Sequence, residues 1–245
     1  GQGIHRVILT GDFHLATQLV GADTLAFHPA LSDEREGERI SLAWSRTARR
    51  LHHDFRASVG FIHGKRCMGG MLELMMHCHQ LVAVEDTLLA MPEVTIPVLP
   101  GMEGCHWPFR KADAEGRKKL LRLVLEGRPV KAADASGWLV DHAGTLENAV
   151  RTAWQVMEQD AAALKPRPFA EGPVETPDAA EAGLALVDGP LQEARAAIAR
   201  CVAEACNAPV DLAFTVQARH SAAFMTGSLC RKGRLGSDYD KMMKH

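Results

Sequence analysis

Hydrophobic residues along the first part of the chain form either short continuous runs or amphipathic stretches. His5–Thr10 and Ala57–His63 are largely apolar runs that each end next to a glycine, which is typical of buried strands. Leu81–Val84 repeats this pattern, and Thr87–Met91 is a short extended piece. In Glu38–Leu51, by contrast, apolar residues recur at helical spacing, so this stretch is predicted to be an amphipathic helix.

A glycine pair separates the second predicted strand from the next apolar stretch. Leu72, Met75 and Met76 follow Gly69-Gly70 and predict a helix that begins at these glycines. The free backbone N–H groups and the positive end of the helix dipole then lie at the pair, where developing negative charge can be stabilised. The order strand, glycine turn, helix, strand predicts an α/β fold.

The second half of the chain is predicted to be mainly helical. Its predicted helices are Gly116–Leu125, Lys131–Ser136, Glu147–Ala163, a stripe from Leu191 to Ala205, and a last helix that follows Pro209, includes Leu212 and runs up to Gly227. Five prolines between Lys165 and Pro190 disfavour a continuous helix there. We therefore expect a core at residues 1–160, a linker or surface excursion at 161–190 and a helical region at 191–245.

Composition narrows the class of protein. A chain of 245 residues with 47% hydrophobic residues can bury a sizeable core, and its formal charge of −2 argues against strong attraction to nucleic acid. No apolar run approaches the roughly 20 residues that cross a membrane. Six cysteines without paired short spacings indicate reduced thiols and a cytoplasmic protein. No signal peptide is visible, and the early strand suggests that further sequence lies upstream.

Several familiar catalytic motifs can be set aside. The sequence contains no G-x-S-x-G nucleophile elbow, H-E-x-x-H metal helix or G-x-x-x-x-G-K-[ST] phosphate loop. His77-Cys78-His79 is not expected to bind a metal, because neighbouring side chains in a helix point about 100° apart. Arg46, Arg49 and Arg50 occupy other faces of the first helix and are expected to be solvated.

Short segments between Val7 and Val140 stand in a recognisable order. They are VILTG, Gly21-Ala22-Asp23, His63-Gly64, Gly69-Gly70-Met71-Leu72-Glu73-Leu74, Met91-Pro92-Glu93, Pro100-Gly101-Met102-Glu103-Gly104 and Lys131–Val140. In order and spacing they resemble the crotonase (enoyl-CoA hydratase/isomerase) superfamily. The resemblance implies an α/β fold built as a spiral of β-β-α repeats with a C-terminal helical region, and assembly as a homotrimer or hexamer.

The resemblance also implies a site for acyl-CoA thioesters. The backbone N–H groups of Ala22 and Gly70 would form an oxyanion hole for the thioester oxygen, and an N–H group at a helix N-terminus suits that chemistry. The resemblance places five further residues against the substrate: Gly21, Asp23, Gly69, Met71 and Pro97. It implies no metal, and no cofactor beyond the CoA that belongs to the substrate.

Two glutamates match the family's hydration pair. Glu73 falls in the first turn after the glycines, and Glu93 follows twenty residues later. Hydration of a conjugated C=C bond needs a base that takes a proton from water and an acid that delivers one to the α-carbon. We expect Glu73 to be the base and Glu93 the acid. Glu85, Asp86 and Glu103 are interpreted as surface residues, although Glu103 could line the acyl pocket.

Departures from the family pattern leave the substrate open. Met71 stands where a third glycine is frequent, Cys78-His79 where Cys-Asp is frequent, and Pro97 where the family has glycine. Three functions are therefore compared: an enoyl-CoA hydratase, a Δ3,Δ2-enoyl-CoA isomerase that needs Glu93 alone, and a non-catalytic acyl-CoA-binding or scaffolding protein. Hydrolase, decarboxylase and ring-cleaving activities are also compatible with an oxyanion hole, because a fold does not fix a reaction.

Overall fold

The computed structural model describes residues 3–12, 18–21, 24–158, 167–184, 191–233 and 235–236. Eight strands are found in this part of the chain: β1 Arg6–Leu9, β2 Gln18–Val20, β3 Ala57–Ile62, β4 Arg66–Met68, β5 Gln80–Val84, β6 Leu88–Ala90, β7 Val130–Lys131 and β8 His142–Gly144. The α-helices of the same part are α1 Glu34–His53, α2 Gly70–Met76, α3 Ala114–Glu126, α4 Leu146–Glu158, α5 Gln192–Asn207, α6 Val210–Met225 and α7 Ser228–Lys232. Short 3-10 helices occupy Thr24–Leu31, Pro92–Thr95 and Pro108–Lys111.

The strands form two four-stranded sheets between which the chain alternates. One sheet has the order β1-β3-β5-β8 and is parallel throughout. The other has the order β2-β4-β6-β7, in which only the β6–β7 pair is antiparallel. Consecutive strands lie in different sheets in three pairs, which are β1 and β2, β3 and β4, and β5 and β6. A helix follows each pair, in the order α1, α2 and α3. This confirms the predicted spiral of β-β-α repeats.

Most of the predicted elements are present, with local differences. The first helix is longer than predicted, because Asp33 caps it by accepting hydrogen bonds from the N–H groups of Arg35 and Glu36. The helix predicted at Lys131–Ser136 is wrong. After β7 the backbone N–H of Ala132 donates to Thr87 O (2.9 Å), so the chain bonds to the neighbouring β5–β6 connection and then turns. The three-residue strands β2 and β4 were not predicted.

A buried arginine, Arg110, helps to join the C-terminal helices to the core. Arg110 is 2% exposed, and its guanidinium donates to the carbonyl oxygens of Gly172 (2.7 Å) and Ala208 (2.7 Å). Ala170, Glu171 and Ala205 supply further carbonyl acceptors to the same group. Residues 167–184 contain no helix or strand and lie against the core at this point. The division at 161–190 predicted from the prolines remains a prediction.

Helices α1 and α6 approach each other closely. A Cβ atom at Gly37 of α1 would lie 3.2 Å from the Cα of Ala222 in α6, which is closer than side chains ordinarily pack. The small residues therefore allow the two backbones to come together. This contact fixes α6 beside the part of α1 that faces the cavity described below.

All six cysteines are buried and free. Burial raises the pKa of Cys67 and of Cys206 to about 12, which makes their thiolates rare at neutral pH. That these thiols are kept reduced in the cell stays a prediction. No helix among the residues that the structure describes is both long enough and apolar enough to cross a bilayer.

Replacement of Arg110 tests its role in joining the C-terminal helices to the core. Arg110→Met would leave five carbonyl groups without their donor, and we expect it to lower the free energy of unfolding by about 3 kcal/mol. Urea denaturation monitored by circular dichroism measures this loss. Arg151→Met removes an arginine that is 63% exposed, and it should change stability little. Equal effects of the two substitutions would contradict the assignment.

Candidate active site

The glycine pair shapes the entry to α2. Gly69 has φ +61°, a left-handed conformation that favours glycine, and a Cβ there would lie 3.2 Å from Oε1 of Glu93. The N–H of Gly69 donates to Ala90 O (3.0 Å), which pins the pair to β6. The N–H of Gly70 finds no acceptor among the described residues. Within the described part of the chain it is therefore an unused donor at the start of the helix, and its role as an oxyanion donor stays a prediction.

Both predicted catalytic glutamates line one cavity of about 230 Å³. Gly21, Gly69 and Gly70 line the same space. The walls are mostly apolar, and their side chains include Phe27, Trp44, Ile96, Val98, Leu99 and Met225. A small apolar cavity with few polar groups is the usual form of a site for a small organic ligand.

Glu73 is bound by backbone N–H groups of the turn that follows Leu99. We call residues 100–105 the Pro100–Cys105 turn. Oε1 of Glu73 accepts hydrogen bonds from Met102 N (2.8 Å) and Gly104 N (2.7 Å), and Oε2 accepts one from Gly101 N (3.2 Å). A Cβ at Gly104 would lie 2.7 Å from Oε1, so this approach requires glycine. The turn thus fixes the carboxylate of a side chain that is 2% exposed.

Glu93 is buried to a similar degree but is held differently. It lies in the 3-10 helix Pro92–Thr95 and is 6% exposed. Its Oε2 atom has no hydrogen-bond partner among the described residues. A buried carboxyl without partners strongly prefers its neutral form. The proton of Glu93 is therefore available to a ligand in the cavity.

The proton affinities of the two glutamates differ in the direction that their surroundings dictate. Burial raises the pKa of Glu73 to about 7, although its three N–H donors act against the rise and the charge of Glu103 adds to it. Burial, together with the charge of Glu73, raises the pKa of Glu93 to about 8. The N–H donors favour the ionised form of Glu73, whereas the unpartnered Oε2 of Glu93 favours its protonated form. One cavity thus holds two carboxyls whose surroundings differ.

The remaining predicted site residues are placed as follows. Gly21 lines the cavity with φ +59°, and its N–H donates to Met68 O (3.0 Å). Ala22 and Asp23 lie outside the described residues, so their roles stay predictions. Met71 and Pro97 are not among the residues that line the cavity, and their contact with a substrate also stays a prediction.

The interpretation of Glu103 as a surface residue is wrong. Its side chain is fully buried, and it lies beneath the cavity wall rather than among the lining residues. Both of its oxygens accept hydrogen bonds from Arg49, at 2.8 Å from Nε and 2.8 Å from Nη2. Arg49 is also buried, with 8% of its surface exposed. The prediction that the arginines of this helix are solvated is therefore right for Arg46 and Arg50 and wrong for Arg49. Helical spacing could not show which arginine faces inward.

Two buried histidines complete the surroundings of Glu103. Nε2 of His77 lies 3.4 Å from one carboxylate oxygen, and Nε2 of His106 lies 3.1 Å from the other. Burial by itself raises the pKa of Glu103, but contacts with His106, His77 and Arg49 outweigh it and hold the pKa well below its ordinary value. Glu103 is thus a permanent anion below the cavity.

The histidines near Cys78 make separate contacts with other side chains and backbone. His77 is fully buried, donates from Nδ1 to the backbone carbonyl oxygen of Glu73 (2.9 Å) and stacks on Trp107 at 4.3 Å between ring centroids. His79 instead contacts Ser58 through Nδ1 (2.8 Å to Oγ). In the part of the chain that the structure describes, no group of three His, Cys, Asp or Glu side chains is arranged to hold a metal ion.

A family model described as enoyl-CoA hydratase/isomerase matches residues 8–224. The chain belongs to this family, within the crotonase superfamily. Among curated proteins, it is 28% identical over 133 residues to a probable enoyl-CoA hydratase from Bacillus subtilis, a match that covers 54% of this chain and 49% of the relative. The chain therefore spans about half the length of that relative.

Solved structures agree on the fold. A carnitinyl-CoA dehydratase from Mycobacterium thermoresistibile superposes with a TM-score of 0.66 at 19% identity, covering 98% of this chain and 76% of the other. An enoyl-CoA hydratase from Bacillus halodurans gives a TM-score of 0.61 at 14% identity, covering 97% and 83%. At these identities the likeness shows the crotonase fold alone.

The burial of Glu93 has a consequence for stability that can be measured. The pKa of Glu93 is about 8 in the folded protein, which exceeds the ordinary value of 4.5. The contribution of Glu93 to the free energy of unfolding is therefore fully present below pH 4.5 and is lost as the pH rises through 8. The free energy of unfolding of the wild type should therefore fall between pH 6 and pH 9. In Glu93→Gln we expect this fall to be smaller, by an amount on the order of a few kcal/mol.

Denaturant unfolding at the two pH values measures this difference. Glu147→Gln is the matched control, since Glu147 is an exposed carboxyl that pairs with Arg151 on the surface of α4. It should keep the pH dependence of the wild type. A Glu93→Gln protein that loses as much stability at high pH as the wild type would show that Glu93 ionises without penalty.

Proposed function

We propose that the protein is an enoyl-CoA hydratase that adds water across the α,β double bond of an acyl-CoA thioester. The observation that carries the proposal is the pair of buried carboxyls in one apolar cavity, one bound by N–H groups and the other without a partner at Oε2 among the described residues. Hydration needs such a division between a base and an acid.

Glu73 is suited to activate water. Its ionised form is held by three N–H groups, so its orientation is fixed before a substrate arrives. In the proposed step a water proton passes to Glu73 while the water oxygen bonds to the β-carbon. The electron pair of the double bond then moves through the α-carbon onto the thioester oxygen and forms an enolate.

Glu93 is suited to complete the addition. When the thioester carbonyl re-forms, the electron pair returns to the α-carbon, which takes the proton from Glu93. Glu73 is then protonated and Glu93 ionised. Transfer of one proton from Glu73 to Glu93, directly or through water, restores the starting state, and their similar pKa values make this transfer nearly balanced.

The negative charge on the thioester oxygen requires donors. The free N–H of Gly70 lines the cavity and is the first of the two donors that we propose. The N–H of Ala22 is the second, on the basis of the family resemblance and the position of the adjacent Gly21 at the cavity. Donors that are fixed before the reaction stabilise an enolate without reorganisation at the moment it forms.

The partners follow from this proposal. The substrate is an enoyl-CoA thioester, and the CoA it carries removes the need for a separate cofactor. The family resemblance favours a homotrimer or hexamer, and the unpaired spacing of the six cysteines favours a location in the cytoplasm. The related proteins named above are a probable enoyl-CoA hydratase and a carnitinyl-CoA dehydratase. The acyl chain must fit a space of about 230 Å³, which favours a short or compact acyl group.

Isomerisation of a Δ3-enoyl-CoA is the second candidate. The observation that favours it is the unpartnered Oε2 of Glu93, since one carboxyl can remove a proton at the α-carbon and return it at the γ-carbon. Glu73 has no necessary part in that reaction. The two functions therefore differ in their dependence on Glu73.

Substitution of each glutamate separates the candidates. We expect Glu73→Gln and Glu93→Gln each to lower kcat for hydration of a short trans-2-enoyl-CoA by roughly 10²-fold or more, measured by loss of enoyl absorbance. Glu147→Gln should keep wild-type turnover. Undiminished hydration in both site variants would refute the proposed roles, and a Glu73→Gln protein that still isomerises a 3-enoyl-CoA would favour the isomerase.

The pH dependence of catalysis gives an independent test. Below about pH 7 Glu73 takes up a proton and cannot act as base, and above about pH 8 Glu93 loses the proton that it must donate. We expect kcat/KM to be highest between these values and to fall about tenfold per pH unit well outside them. Rates measured from pH 5 to pH 10 would contradict the pairing if they stayed level from pH 6 to pH 9.

A further inference from the structure

The Pro100–Cys105 turn is itself held from two helices. Ser41 of α1 donates its hydroxyl to Gly101 O (2.8 Å). Gln217 of α6 donates to Pro100 O (2.7 Å) and accepts from Cys105 N (3.0 Å). The turn that carries the three N–H groups is therefore held in place by side chains of α1 and α6.

Glu103 occupies the most constrained position of the turn. It has φ +71°, and among the described residues it is the non-glycine residue with a positive φ. A side chain in this left-handed region is disfavoured unless its surroundings select it. Here the selection comes from the two hydrogen bonds between the Glu103 carboxylate and Arg49.

Arg49 is in turn fixed in place by its own contacts. It donates to Val210 O (2.7 Å), and its guanidinium lies over the ring of Phe214, 4.5 Å from the centroid. Both residues belong to α6, whereas Arg49 belongs to α1. A planar guanidinium that is bound on several sides is a rigid support for a carboxylate.

We propose that Arg49 is a positioning residue for Glu73, acting through Glu103 and the Pro100–Cys105 turn to orient the catalytic base. Arg49 does not line the cavity and has no contact with a bound substrate to make. The role as base rests on the function proposed above, but the effect of Arg49 on the proton affinity of Glu73 does not.

The charged groups around the base fix the direction of the expected effect. Glu73 is faced by Glu93, Glu103 and the thiol of Cys105. Glu103 is faced by Arg49, His77 and His106, and Asp211 of α6 lies 3.8 Å from Arg49. Loss of Arg49 leaves the charge of Glu103 less compensated and loosens the turn that supplies the three N–H groups. Both changes raise the pKa of Glu73.

Arg49→Met is the first test. A higher pKa of Glu73 moves the acidic limb of the pH–rate profile to higher pH, and we expect a shift of about one pH unit, which is a tenfold lower rate on that limb. KM for the enoyl-CoA should stay within about twofold, because the contact that is removed lies outside the cavity. Arg49→Lys keeps the charge but not the paired hydrogen bonds, so it should show a smaller shift than Arg49→Met.

Arg167→Met is the matched control. Arg167 is also a partly buried arginine and forms a 2.7 Å contact with Asp141, but neither residue lines the cavity. Its loss should lower stability without moving the acidic limb. If Arg49→Met only lowered stability in the same way, with the limb unmoved, Arg49 would have a structural role and the proposal would be wrong.

A direct titration keeps the result independent of turnover. In protein labelled with ¹³C at glutamate carboxyls, the Glu73 resonance can be assigned by its absence in Glu73→Gln and followed against pH by NMR. We expect its midpoint to rise in Arg49→Met and, by less, in Arg49→Lys, which decides the matter if the methionine variant does not fold. An unchanged midpoint overturns the proposal. A raised midpoint in a protein without hydratase activity supports it and refutes the proposed function instead.

Discussion

A carboxylate inside an apolar core needs N–H groups or a cation in place of water, and the Pro100–Cys105 turn is where this structure supplies both. Its backbone N–H groups bind Glu73 above, and the side chain of Glu103 within it binds Arg49 below. The turn thus fixes the carboxylate of Glu73 and is itself bonded to both α1 and α6.

The three buried glutamates illustrate how surroundings set chemical character. Glu103 meets an arginine and two histidines and remains an anion. Glu73 meets only backbone N–H groups and the repulsion of neighbouring charges, so its proton is held at moderate strength. Among the described residues Glu93 has no cation beside it, and its Oε2 has no donor, so burial raises its pKa strongly. One residue type thus acquires three different proton affinities from its surroundings.

The sequence predicted the parts of the site that depend on local pattern. Gly69, Gly70, Glu73 and Glu93 lie at recognisable spacings, and all four line the cavity. The role of Glu103 could not be predicted, because its partner Arg49 is 54 positions away in the sequence. Nothing in the sequence distinguishes Arg49 from the exposed arginines of the same helix.

Short elements were missed for a similar reason. Strands β2 and β4 have three residues each and are held by pairing with one another rather than by their own propensity. The helix expected at Lys131–Ser136 gave way to bonds with a connection more than forty residues earlier, where Thr87 accepts from Ala132. In both cases tertiary contacts outweighed the local signal.

The six buried, unpaired thiols give this fold a set of internal reporters. Cys67 lies in β4, Cys78 follows α2, Cys105 closes the turn, Cys201 and Cys206 lie on α5, and Cys230 lies on α7. A thiol reagent can reach each of them only when the surrounding element opens. The rate at which each cysteine is alkylated therefore measures how often its part of the molecule opens, without any engineered label.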